Sequence, residues 1–375
     1  MQTVRGDTSA ISLFLCGDAM TGRGIDQVLP YQVNPVLYEP YLRDAREYVE
    51  LAETAHGPIS RPVAFDYIWG DALEELGRMG ANFRIVNLET AITTAEEACP
   101  KGINYRMHPA NIGCITAARI DCCCLANNHV LDWGYAGLEE TIATLDKAGV
   151  AHAGAGPRAA EARTPGVLDL GARGRVLVFA LGSPASGIPL GWAAASDRPG
   201  VNMVERFSDE TAHRVADEVR TYKQPGDIAL VSIHWGGNWG YEIPRAQTLF
   251  AHRLIDEGVD LIHGHSSHHA KAVEVYKDHL ILYGCGDFVT DYEGIGGYEE
   301  FRGDLSVMYL PVLEAMSGRL LELRMTVLQS RRFRLNRAST ADVQWLSNLL
   351  NRICAGFGTR LDVVQGHNLR MKNEN

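Results

Sequence analysis

Residues 227–265 read DIALVSIHWGGNWGYEIPRAQTLFAHRLIDEGVDLIHGH, and their pattern sets the fold class. The apolar run DIALVSIHW at 227–235 is too continuous for a half-buried strand and fits one covered on both faces. A helical pattern, AQTLFAHRLIDEG at 246–258, follows, and a second apolar run, DLIHGH at 260–265, closes the unit. The same alternation extends both ways. ISLFLCG at 11–17, FRIVNLE at 83–89, IDCCCLA at 120–126 and RVLVFALG at 175–182 read as strands before it. AVEVYKD at 272–278, HLILYGCG at 279–286 and LSVMYLPVL at 305–313 read as strands after it. The helical patterns DALEELGRMG, LEETIATLDKAG and SDETAHRVADEVRTYK lie between, with Gly149 placed to stop the second and Ser208 to cap the third. Strands alternating with helices predict an α/β layered domain.

The whole chain narrows the function. Its 375 residues carry 35 Lys and Arg against 46 Asp and Glu, a formal net charge of −11. That sign repels phosphate backbones, so no nucleic-acid partner is expected. No apolar run reaches the roughly 18–20 residues that span a bilayer, so no integral membrane segment is expected. The N-terminus MQTVRGDTSA lacks the regions of a signal peptide, and the expected location is cytoplasmic. The 8 cysteines include no CxxC pair, and the consecutive Cys122, Cys123 and Cys124 read as reduced, buried small hydrophobes. The sequence carries no sign of oligomeric state.

Two segments stand apart from the main domain at 8–315. Residues 30–66 are rich in Pro and Tyr, with an amphipathic helix expected around 40–54, and form an insertion that is either a lid over the site or a plain excursion. Residues 316–375 form a C-terminal extension expected to pack on the main domain. They hold a hairpin-like GRLLELRMTVL, a basic RRFRLNR read as a solvated or salt-bridged strand, and a helix around ADVQWLSNLLNRI.

Polar residues gather where apolar runs end. Asp18 follows the first run, Glu89 ends the second, Asn128 and His129 follow the third, His234 ends the fifth, and His265 and His268 follow the sixth. Ligands of α/β sheets collect beyond the carboxyl ends of strands. Carboxylate, amide oxygen and neutral imidazole together suit Mn, Zn or Fe, and fit a pair of divalent ions activating a water between them.

These residues also carry a resemblance. GDAMTGRG at 17–24, NLETAIT at 87–93, LANNHVLDWG at 125–134, HWGGNWGYE at 234–242 and GHSSHH at 264–269 resemble, in order, the motifs of the CapA-type poly-γ-glutamate (capsule) biosynthesis family. That family is related to the calcineurin-like metallophosphoesterases. The resemblance implies a four-layer αββα sandwich with two mixed β-sheets and a dinuclear metal site. It implies that Asp18 and His268 serve one metal, that Asn128, His234 and His265 serve the other, and that Glu89 stands at the bridging position. His129 matches the imidazole that protonates a leaving group, with Asp132 either orienting it or capping a helix. Arg106, in INYRMHP, is the candidate anion clamp, with an ordinary ion-paired Arg as the alternative. Trp235 either lines the pocket or packs in the core.

Departures from the pattern are plain. Met20 stands where phosphoesterases place a histidine ligand, Glu89 replaces an aspartate, and Ser266-Ser267 interrupt the histidine run, leaving His263 and His269 as alternative ligands. Asp287 stands where the family often has Asn. The expected function is a dinuclear metal-dependent hydrolase, acting on a phosphoester or γ-glutamyl amide in poly-γ-glutamate or capsule biosynthesis. Its substrate would be an anionic small molecule or polymer. The alternative is a non-catalytic, metal-stabilised accessory protein that binds polymer or a synthetase partner.

Overall fold

In the computed structural model, which describes residues 10–364 and 366–372, the apolar runs become strands of two large mixed sheets. The first is built on β1 (Ala10–Ala19), β2 (Phe83–Leu88), β3 (Cys122–Cys124) and β4 (Ala151–Ala153), parallel in that order. The second contains β5 (Gly166–Asp169), β6 (Arg175–Gly182), β7 (Ile228–His234) and β8 (Leu261–His265). Here β6, β7 and β8 run parallel, and β5 turns back along β6. Next, β9 (Val273–Tyr276) pairs antiparallel with β10 (His279–Leu282), which lies parallel to β8. The short β11 (Asp287–Val289) returns the chain to β1 in parallel, and β12 (Leu305–Glu314) runs antiparallel along the earlier part of β1.

The helices begin and end where local chemistry dictates. α1 (Arg46–His56) lies in the insertion, slightly later than expected, and α2 (Ala72–Met79) precedes β2. α3 (Gly134–Ala148) stops at Gly149, whose φ of +69° a side chain would resist. α4 (Asp209–Tyr222) is capped by Ser208 Oγ, which accepts from Thr211 N at 3.2 Å, and α5 (Arg245–Asp256) leads into β8. The two large sheets touch through buried polar contacts as well as apolar ones: His263 Nε2 on β8 reaches the Cys16 carbonyl on β1 at 2.7 Å. Cys122, Cys123 and Cys124 are fully buried, and every cysteine is an unpaired thiol.

The path of β1 positions the site. Leu15 pairs with Ile85, but Asp18 pairs with Asn87, so β1 carries one residue more than β2. Such a bulge re-aims the side chains that follow it. Gly17 makes room for it: a Cβ there would stand 1.6 Å from the Gly286 carbonyl oxygen, which instead accepts from Asp18 N at 3.0 Å.

Residues 316–372 continue the first sheet. β13 (Leu320–Arg331) pairs with β12 from Leu305↔Gln329 to Leu313↔Leu320 and buries Leu323, Met325 and Val327. β14 (Arg334–Arg337), α6 (Thr340–Ile353), β15 (Leu361–Val364) and β16 (Asn368–Met371) follow, and the three strands extend the same sheet. Without β13, β12 would present an unpaired edge, which folded proteins avoid. The boundary at 8, and residues 365 and 373–375, fall outside the described residues. In the basic stretch Phe333 is buried, while Arg334 pairs with Asp71 at 3.4 Å and Arg337 with Glu74 at 2.7 Å.

A chain ending at Gly318 should therefore lose soluble expression or its cooperative melting transition, and Met325→Ala should destabilise by about 2–5 kcal/mol in denaturant titration. A soluble truncated chain with unchanged Tm would show that the segment is separable.

Candidate metal centre

Strand register brings the polar residues together in pairs. Asp18 lies beside Asp287 across β1 and β11, and His234 lies beside His265 across β7 and β8. Asp18 Oδ1 accepts from Asn87 Nδ2 at 2.7 Å and Oδ2 from Ser266 N at 3.2 Å, which fixes the carboxylate. His234 Nε2 is 2.9 Å from Asn128 Oδ1, and the Nδ1 atoms of His234 and His265 are 2.8 Å apart. Glu89 Oε1 lies 3.7 Å from His234 Nε2 and 3.9 Å from His129 Nε2. His268 Nδ1 meets Asp287 Oδ1 at 3.0 Å. Two tight clusters result, Asp18 with His234 and His265, and Asp18 with Glu89 and Asp287, each with ligand atoms within 4.8 Å of one another. Asp18 belongs to both. The resemblance puts the bridging carboxylate at Glu89, whereas this geometry makes Asp18 the shared one.

The electrostatics ask for cations. Burial, then the neighbouring Asp287 charge, pushes the Asp18 carboxyl up to about 7. Burial, then Asp18 and Asp287, holds Glu89 well above the usual carboxylate range. Burial, then neighbouring imidazoles, keeps His234 and His265 far below the ordinary histidine value, so both are neutral and able to coordinate. Burial is the largest single influence on His268 and opposes its protonation, but the charge and hydrogen bond of Asp287, joined by the Asp18 charge, together raise the imidazole. Glu89 Oε2 and Asp287 Oδ2 are buried with no hydrogen-bond partner among the described residues. A buried acceptor left unbonded is costly, and divalent cations would satisfy both oxygens and the like-charge cluster. The donor set thus fits two hard or borderline ions.

Beside this cluster sits a second unit. His129 Nδ1 is 2.6 Å from Asp132 Oδ2, which also accepts from Tyr105 N at 2.6 Å, while Lys101 Nζ lies 2.7 Å from Asp132 Oδ1. Asp132 therefore orients the imidazole and does not cap α3, whose N-cap is Trp133. The Tyr105 ring stacks on His129 with centroids 3.8 Å apart. Burial pushes His129 down to about 4 despite the Asp132 charge.

A cavity of about 670 Å³ leads outward from Glu89, Asn128, His129, His268 and Asp287. Tyr41, Tyr48 and His56 line it, so the 30–66 segment forms one of its walls. Two expected contacts are elsewhere. Arg106 does not line the cavity: its NH2 donates to the Asn34 carbonyl at 3.1 Å, NH1 bonds the Ala95 carbonyl, and the guanidinium lies 3.7 Å from the Trp133 ring centre. Trp235 packs in the core against Phe207 and Tyr283, and the tryptophan that reaches the cavity is Trp239. His263 bridges Ser232 and the Cys16 carbonyl, and His269 packs against Tyr241 and Phe301, so neither joins the clusters. Met20 is buried in the core. Sequence reasoning left Asp287 without a role and passed over Lys101, Tyr105 and Arg23; the carboxylate in GCGDF and the Arg of GDAMTGRG were the visible signals.

The bacterial capsule synthesis protein family model PGA_cap matches residues 12–292. A "Probable polyglutamine synthesis accessory protein" of Mycobacterium tuberculosis (strain ATCC 25618 / H37Rv) is 46% identical, covering 98% of this chain and 99% of its own length. "PGA biosynthesis protein CapA" of Bacillus subtilis (strain 168) is 26% identical over 80% of this chain and 67% of its own. "Capsule biosynthesis protein CapA" of Bacillus anthracis is 23% identical over 76% and 61%.

Because folding raises the Glu89 pKa, its contribution to stability is complete below the unfolded value and is lost as pH climbs through the raised one. Glutamine does not titrate. Metal-free Glu89→Gln should melt a few degrees above the metal-free parent at alkaline pH, and the gap should close on acidification. Added Mn²⁺ or Zn²⁺ should reverse the order. Identical melting of the two proteins at every pH would show that the carboxylate cluster carries no strain.

Proposed function

The chain belongs to the bacterial capsule synthesis protein PGA_cap family, and from that premise we propose that it is a dinuclear metal-dependent hydrolase. The substrate is an anionic phosphoester or γ-glutamyl amide, and the setting is polyglutamate or capsule biosynthesis. One observation carries this reading: Glu89 and Asp287, whose buried Oε2 and Oδ2 have no hydrogen-bond partner among the described residues, form one ligand cluster with Asp18, and Asp18 forms a second with His234 and His265. The family membership and the two mixed sheets support a four-layer αββα arrangement.

Asp18, Glu89, Asp287, Asn128, His234, His265 and His268 would hold two divalent ions, Mn, Zn or Fe. Such ions lower the pKa of a bound water and stabilise charge that develops on the substrate. The protein's own part is orientation and proton transfer. Asp132 takes the Nδ1 proton of His129 as a hydrogen bond, which turns Nε2 toward Glu89 and the cavity. An anionic substrate beside Nε2 would raise the imidazole pKa, by the same Coulombic effect that Asp132 exerts, and so load the proton that the leaving group needs. Tyr105 stacked on the ring and Lys101 on Asp132 hold that geometry.

The name of the M. tuberculosis relative favours a second reading, a metal-holding accessory protein without turnover. No helix of the described residues is long and apolar enough to cross a membrane.

Elemental analysis of protein grown with Mn and Zn should find about two ions per chain, as a two-metal site requires. Glu89→Ala should lose much of that metal and Cys123→Ala almost none. In a screen of phosphoesters and γ-glutamyl amides, His129→Ala should keep its metal and lose roughly 100- to 10,000-fold in turnover. Metal-loaded protein with no turnover on any substrate would transfer the weight to the accessory reading; protein without metal would defeat both.

A further inference from the structure

Arg23 lies five residues beyond Asp18, and its buried guanidinium stands in the cavity wall. Nε and NH2 grip Asp291 at 3.0 and 2.5 Å, while NH1 donates to Glu39 at 2.8 Å and to the Tyr48 hydroxyl at 2.9 Å. The guanidinium carbon is 3.6 Å from the Tyr48 ring centre and 4.9 Å from that of Tyr105. One side chain therefore joins the 30–66 wall, the loop after β11 and the ring that stacks on His129. Its φ of +50° is seldom adopted by residues other than glycine, and surrounding contacts must hold it there. A second tie, His56 Nδ1 to Glu293 Oε1 at 2.7 Å, joins the same wall to the same loop.

Two carboxylates already neutralise Arg23, and four of its five N–H donors are engaged, so it is not a free clamp for an incoming anion. It shapes the cavity instead. The volume enclosed, about 670 Å³, lies within the range of roughly 300–1,000 Å³ usual for small-molecule sites.

We propose that Arg23 is the specificity-determining residue of this cavity: by pinning the 30–66 wall against the loop at 290–293, it limits the ligand to a small molecule or the terminal units of a chain. The interior of a long polymer is excluded. The pinning rests on the contacts alone; the identity of the ligand rests on the hydrolase reading.

The test compares Arg23→Ala, Arg23→Lys and Glu39→Gln with the parent. Glu39→Gln keeps the Arg23–Asp291 pair and serves if Arg23→Ala fails to fold. Backbone hydrogen exchange at 37–56 and 290–293 should quicken about tenfold in Arg23→Ala, as a local opening would cause, with metal content unchanged. Glu39→Gln should move the same way by less, and Arg23→Lys should restore part of the protection, since an ammonium cannot reproduce the forked contact. With p-nitrophenyl phosphate as substrate, KM should rise about tenfold while kcat stays within about twofold. Long-chain poly-γ-glutamate should compete with that substrate in Arg23→Ala and not in the parent. Unchanged exchange in both Arg23→Ala and Glu39→Gln, loss of metal in Glu39→Gln, or equal competition by the polymer in the parent would overturn the proposal. Exchange and metal content do not depend on turnover, so a protein that hydrolyses nothing fails the hydrolase reading while exchange still decides whether Arg23 pins the wall.

Discussion

Asp18, Glu89 and Asp287 place oxygens within 4.8 Å of one another in the buried seam where the sheets meet. Exposed to water, such a cluster would cost little; buried, each added negative charge raises the pKa of its neighbours. Asn87 and Ser266 donate to Asp18, but Glu89 Oε2 and Asp287 Oδ2 lack a hydrogen-bond partner among the described residues. Most of the architecture around the cluster can be understood as holding these groups in place against their repulsion. The bulge in β1, the close approach at Gly17 and Gly286, and the pairing of β11 with β1 all serve to set Asp18 beside Asp287.

The imidazoles are held by a different device. His265 Nε2 meets Ser232 Oγ at 2.8 Å, Ser232 meets His263 Nδ1 at 3.1 Å, and His263 ends on the Cys16 carbonyl. A relay of this kind fixes the His265 ring from behind, the arrangement that outer partners give ligand rings in metal sites. It also gives His263 a role that its neighbours in sequence did not disclose. No cysteine sulfur belongs to either ligand cluster among the described residues, which leaves a donor set of oxygen and nitrogen.

Much of this was legible in the sequence, and the limits follow from physics. Continuous apolar runs marked the central strands because two-sided burial favours an apolar side chain at every position, and their shortness and bounding turn residues set them apart from buried helices. The residues at their ends were legible for the same reason, since a strand's end fixes where its next side chain emerges. What depended on distant pairing was not. β11 has three residues, too short to read, so Asp287 had no visible neighbour. Arg23 and Asp291 are far apart in sequence, and only the fold shows them in contact. Arg106 matched a motif, yet its guanidinium stacks on Trp133 and bonds loop carbonyls, because motif likeness does not say where a long side chain points. The segment after 316 was legible as an extension packed on the main domain but not as part of its sheet, because sheet membership is set by a partner strand, here β12, not by local pattern.

On the function proposed above, the carboxylate cluster exists to hold metal. Anomalous diffraction from crystals grown with Mn²⁺, recorded at an energy where manganese scatters anomalously, tests it most directly. Two peaks are expected, one bounded by Asp18, Glu89 and Asp287 and one by Asp18, His234 and His265, with Glu89 Oε2 and Asp287 Oδ2 each coordinating an ion. Density showing no ion there, with those two oxygens satisfied by hydrogen bonds to protein or water, would contradict it.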